Sequence, residues 1–119
     1  FGTHIIDVTD PTDIFEVERF QGKDFGDRII HRDFHEYKGY IYAVSDEGQS
    51  SMQIIDISTL PDSASMVYDS DSIFTQSHNI FIDEQGFAYL TGAACGLADF
   101  ENNIFESYSY GMLILDLNV

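Results

Sequence analysis

Tryptophan is absent, cysteine occurs once, at Cys95, and proline twice, at Pro11 and Pro61. A single cysteine cannot close an intrachain disulfide, so no oxidised staple is available and the redox compartment stays open. Basic residues are scarce as well: five Lys and Arg stand against 21 Asp and Glu, a formal net charge of −16. Such a chain repels phosphate backbones and anionic lipid wherever charge is felt, which argues against nucleic-acid and membrane-surface partners. No apolar run approaches the roughly 20 residues of a spanning helix, so no membrane insertion is expected within these residues. No basic segment followed by an apolar one marks a signal peptide. The sequence opens at Phe1 without an initiator methionine and closes at Val119, just after the apolar Met112-Leu113-Ile114-Leu115. It is therefore expected to be a piece of a longer protein.

What is present is apolar enough to fold: 44% of the 119 residues are hydrophobic and 14% aromatic, too many for an acidic disordered tail. The length allows one domain. Repeats carry most of the information. His4-Ile5-Ile6-Asp7-Val8, Gln53-Ile54-Ile55-Asp56-Ile57 and Leu113-Ile114-Leu115-Asp116-Leu117 are three short aliphatic strands with Asp at one place. A second pair runs from His31 and from His78: His31 to His78, Phe34 to Phe81, Gly39 to Gly86 and Tyr42 to Tyr89 all share the offset 78 − 31 = 47.

The order of parts is the same in each unit. A His-led strand meets a tight turn (Lys38-Gly39; Gln85-Gly86), then an aromatic strand (40–45; 87–92), a loop, and the Ile-Ile-Asp strand. A turn with Pro11 or Pro61 follows, where the ring fixes φ and ends the ladder. A fourth strand comes next, over 14–20 or 65–68. No segment shows a convincing helical period. Four antiparallel strands recurring every 49 residues (Asp7 to Asp56) and 60 residues (Asp56 to Asp116) predict an all-β fold of β-propeller blades. Residues 1–30 are read as the end of one blade, 31–70 as one full blade and 71–119 as most of the next, in one partial propeller domain. Four to eight blades close such a ring.

Gly2-Thr3-His4-Ile5-Ile6-Asp7-Val8-Thr9-Asp10-Pro11, His31-Arg32-Asp33, Ser45-Asp46-Glu47-Gly48, Met52-Gln53-Ile54-Ile55-Asp56, Ser77-His78-Asn79-Ile80 and Ala88-Tyr89-Leu90-Thr91-Gly92 together resemble the choice-of-anchor B family, related to proteins with LVIVD repeats. The likeness runs across nearly the whole chain. It implies a bacterial β-propeller, exported or attached to the cell surface, often with a C-terminal anchoring segment, here beyond Val119. It implies a fold and a location more than a reaction, because the family has no settled biochemical activity.

Several residues carry candidate chemistry. His31 and His78 hold matching places in successive units, so in a propeller they are expected side by side around the central channel. Neutral imidazole suits Zn, Cu, Fe or Ni. Asp33 and His35 share the strand face of His31 by the period of two and join it as candidate metal ligands. Against this, their counterparts Ile80 and Ile82 carry no ligand atom, and both histidines serve equally as hydrogen-bonded locks between blades. Asp46 and Glu47 offer adjacent carboxylates to calcium, or simply form a solvated turn; the twelve-residue calcium loop pattern is not there. Asp69-Ser70-Asp71-Ser72 is read as an acidic surface loop.

Asp7, Asp56 and Asp116 recur in every copy, which points to turn architecture, since catalytic groups are needed once. Cys95 has no positioned base beside it and is read as a packed thiol or as the partner of a cysteine elsewhere. The insertion over 97–110 carries Phe100, Phe105, Tyr108 and Tyr110 among acidic residues; these rings either bind a ligand or pack over a neighbouring blade.

Three functions follow as expectations. The first is an exported, extracellular or cell-surface propeller acting as a binding or scaffold module, with protein or carbohydrate partners. Its acidic face suits a saline or calcium-containing exterior. The second is a metal-dependent hydrolase or oxidoreductase whose channel metal is held by the repeated histidines. The third is a component of an extracellular assembly. A divalent metal, calcium or a transition metal, is the one cofactor the residues suggest.

Overall fold

The computed structural model describes residues 2–22, 31–47, 52–99 and 104–118, without the side chains of 95–110. Among the described residues the fold is all-β, built of antiparallel strands with no helix. None is therefore long and apolar enough to cross a membrane as a helix. Strands β1 (Thr3–Asp7) and β2 (Phe15–Phe20) form a first sheet. The second is a four-stranded meander of β3 (Arg32–Tyr37), β4 (Tyr40–Ser45), β5 (Met52–Asp56) and β6 (Ser65–Ser70). The third contains β7 (Asn79–Ile82), β8 (Phe87–Asp99) and β9 (Ile104–Asp116).

Local chemistry explains why the units resemble one another. Asp7 Oδ1 accepts from Thr9 N at 2.7 Å, Asp56 Oδ1 from Ser58 N at 2.8 Å and Asp116 Oδ1 from Asn118 N at 2.9 Å. Each Asp thus ends its strand by bonding the backbone two residues on, the turn role expected of a residue needed in every copy. The strand after this turn also repeats a detail: the ladder slips between Ile5 and Ile6 and again between Ile54 and Ile55. One bulge at one place in two sheets marks them as copies of one plan.

The two hairpins led by the histidines are not copies of each other. Between β3 and β4 the turn is two residues, Lys38 (φ 50°) and Gly39 (φ 80°), the left-handed pair that matches strand twist. Between β7 and β8 the Asp83 carboxylate intervenes. Its Oδ1 accepts from Gln85 N (2.9 Å) and Phe87 N (3.0 Å), while Gly86, at φ 86°, bonds back to Asp83 O. The turn is longer and the register changes by one. Tyr42 pairs with His35, whereas Tyr89, 47 residues on, pairs with Phe81, only 46 residues on from His35. A one-residue slip turns every side chain of a strand to its other face.

Packing follows from that slip. On the second sheet Tyr42, Val44 and Met52 face the third sheet, which answers with Ile80, Ile82, Ala88, Leu90 and Ala93. Leu113, Leu115 and Leu117 flank this core, while Met112 and Ile114 between them are exposed on the opposite face. The other face of the second sheet buries Ala43, Gln53 and Ile55. Gln53, 1% exposed, ties it to the first sheet through Nε2 to Gln21 O at 2.9 Å and takes a bond from Arg32 at 3.1 Å. A shallow groove between Ile5, Val8 and Val17 of the first sheet and Leu60 and Pro61 of the second continues this junction.

The insertion expected over 97–110 is not a loop where it is described. β8 and β9 run on as a ribbon of two 13-residue strands, paired from Phe87 with Asp116 to Asp99 with Ile104. Gly92 (φ 63°) and Gly111 (φ 69°) sit beside the slips at Ala93, where the ribbon bulges and carries on. Alternating aromatic and polar residues suit a strand as well as a loop, which is why the composition misleads there.

Candidate functional site

The site is best built from the hairpin of β3 and β4. Arg32 pairs with Ser45 at the open end of this ladder, so the next residues out, His31 on one side and Asp46 and Glu47 on the other, meet by register alone. His31 Nδ1 lies 2.7 Å from Glu47 Oε1, and His31 N donates to Glu47 Oε2 at 3.0 Å. Ser45 fixes the corner: its hydroxyl donates to His31 O at 2.9 Å and accepts from Glu47 N at 3.3 Å.

The third sheet supplies the other side. Ser77 N donates to Ser45 O at 2.8 Å, carrying the chain across the junction, and His78 Nδ1 then reaches Asp46 Oδ2 at 2.5 Å. His78 N bonds Thr91 O at 3.0 Å. Gly92 lets β8 pass close by, since a Cβ there would stand 3.0 Å from His78 Cβ. Two imidazoles and two carboxylates therefore share one seam between sheets. Ligand atoms of His31, Asp46 and Glu47 lie within 4.8 Å of one another.

This corrects the picture of histidines at matching positions around an axis. His31 has the parity of Asp33 and His35, which face the third sheet; His78 has the parity of Ile80 and Ile82, which face the second. The register slip set by Asp83 turns His78 back toward His31. Identical placement in the sequence thus becomes opposition across a junction.

The remaining candidates go elsewhere. Asp33 Oδ2 accepts from Ile80 N at 2.8 Å and from Asn79 Nδ2 at 3.4 Å, bonding the edge of β7 away from β8. His35 meets the Phe81 ring edge-on, centroids 5.2 Å apart, and Phe81 in turn lies 6.2 Å from Tyr89. Neither joins the seam. Asp69 accepts from Gln53 Nε2 at 3.1 Å, a packing role. Phe100 lies outside the described residues, as do the side chains of Cys95, Phe105, Tyr108 and Tyr110, the last three of which belong to β9 by backbone.

Electrostatically, the seam joins four groups that each take a proton or a cation. Asp46 and Glu47 are 27% and 24% exposed, against 60% and 63% for His78 and His31. The carboxylates form the floor and the imidazoles the rim. Among the described residues, Asp46 Oδ1 is buried with no hydrogen-bond partner. Several turn carboxyls are held below their ordinary range. Hydrogen bonds from Phe87 N–H, Tyr89 and the turn amides hold Asp83 below its ordinary range, offset in part by burial. The side chain and amide of Thr9 do the same for Asp7, and those of Ser58 for Asp56.

In the sequence the imidazoles stand as candidate transition-metal ligands and the Asp46-Glu47 pair as a separate candidate for calcium. The signal that joins them was present: folding the chain about Lys38-Gly39 sets residue 31 opposite residue 46. Compared with protein-family models, curated proteins and solved structures, the chain matches none.

Proposed function

We propose that these sheets are blades of a β-propeller, exported or held at the cell surface, which acts as a binding or scaffold module for protein or carbohydrate partners. The observation that carries this reading is the repetition of one sheet plan, with the same Asp-ended strand and the same bulge, in sheets that bury one face against the next. Radial repetition is the way such sheets protect their faces and edges. The outer face supports it too. Ile114 (54% exposed) and Met112 on the third sheet offer apolar surface for a further blade of the same kind. The likeness of the repeats to choice-of-anchor B proteins supplies the location.

Class averages of the full-length protein by electron microscopy test the architecture, and protease shaving of intact cells tests the location. The expected result is a ring of four to eight lobes that shaving removes from the cell. A linear stack of sheets, or a protein untouched by shaving, refutes the reading.

A further inference from the structure

We propose that His31, Asp46, Glu47 and His78 form a binding site for a divalent transition metal, with zinc the best fit, which staples the sheet of β3 to β6 to the sheet of β7 to β9. The inference goes beyond the propeller reading and does not rest on ring closure. It starts from the donor set. Two imidazole nitrogens with two carboxylate oxygens suit a borderline ion such as Zn²⁺, whereas calcium takes oxygen ligands alone.

His31, Asp46 and Glu47 offer ligand atoms within 4.8 Å of one another, and His78, outside that group, joins it through its contact with Asp46. Zinc holds nitrogen and oxygen at about 2.0–2.2 Å, which sets neighbouring donors of a tetrahedron about 3.4 Å apart. The His31–Glu47 and His78–Asp46 pairs stand at 2.7 and 2.5 Å, so each opens by less than about 1 Å to admit the ion. Rotation of the two imidazoles supplies this, because both side chains are more than half exposed. The carboxylates are anchored below them.

A second observation points the same way. Among the described residues, Asp46 Oδ1 is buried and unpartnered. Leaving a charged acceptor unmet is costly, and an ion held by the Asp46 carboxylate would offset that cost. Two ionised carboxylates, two neutral imidazoles and one divalent ion sum to zero charge. A chain of net charge −16 also concentrates cations around itself.

With His78 drawn in beside the three ligands already grouped, four protein ligands would fill a tetrahedral shell and leave no open position, the pattern of a structural ion. The ligands come from both sides of the junction, three from the β3–β4 hairpin ends and His78 from the third sheet. Binding therefore stabilises the packed arrangement of the two sheets over the separated one.

The test uses the full-length protein stripped with chelator and titrated with zinc chloride by calorimetry, beside His31→Gln, His78→Gln and Asp46→Asn variants and a His35→Gln control. The expected result is a zinc-binding event whose affinity falls at least tenfold in each of the three variants and holds in the control, with a zinc-induced rise in melting temperature lost in parallel. The two histidines are exposed enough for their variants to fold even where Asp46→Asn does not. Absence of zinc binding, equal binding by all variants, or displacement of zinc by millimolar calcium overturns the proposal.

Discussion

Removing the Asp33 carboxylate is expected to loosen the junction of the second and third sheets without touching any metal. Among the described residues β7 pairs on one side only, with β8, and its other edge turns the Ile80 amide toward Asp33 Oδ2 at 2.8 Å. Ile80 is 4% exposed, so water is a poor substitute for this acceptor. A hydrogen bond to a charged group contributes about 1.5–3 kcal/mol, and the Asn79 bond at 3.4 Å adds little to it. Asp33→Ala is expected to cost about 2 kcal/mol. Asp33→Asn keeps a neutral acceptor and is expected to cost about half as much. Urea unfolding of the full-length protein measures both, and hydrogen exchange at the Ile80 amide reports the local bond. Losses under about 0.5 kcal/mol in both variants, with Ile80 protection unchanged, refute the reasoning. Zinc affinity unchanged in both separates Asp33 from the seam.

Two further outcomes are open to measurement. On the proposed propeller reading, in which another sheet would cover this exposed face, Ile114→Ala in the full-length protein is expected to cost at least about 1 kcal/mol; a cost below about 0.5 kcal/mol leaves the face in water and removes that support. The Asp83 carboxyl is held below its ordinary value, first by Phe87 N–H, so its contribution is fully present above about pH 4 and is lost as the pH falls through the lowered folded value. The difference in melting temperature between the native protein and Asp83→Asn should therefore be largest near neutrality and shrink toward pH 2. A difference constant with pH rules out the ionised carboxylate as its source.

Much of the fold was legible because its causes are local. Asp7, Asp56 and Asp116 bond the backbone two residues on, and Lys38-Gly39 makes a two-residue turn, whatever the rest of the molecule does. The alternation of Leu113, Leu115 and Leu117 with exposed neighbours likewise follows from the period of a strand. Even half of the site is local, since the hairpin register alone brings His31 to Asp46 and Glu47.

The other half was decided by packing. Matching offsets set His31 and His78 in equivalent places, but the Asp83 turn shifts the ladder by one residue, and a period of two turns that shift into a change of face. Whether Asp33 meets an ion or the edge of β7 depends likewise on which sheet lies against it. The sequence by itself determined most of the strands, the Asp-ended turns and the register of the β3–β4 hairpin, because these rest on neighbours along the chain. The tertiary structure alone decided that His78 closes over Asp46, because that contact joins two sheets whose relative placement is set by the whole buried core between them.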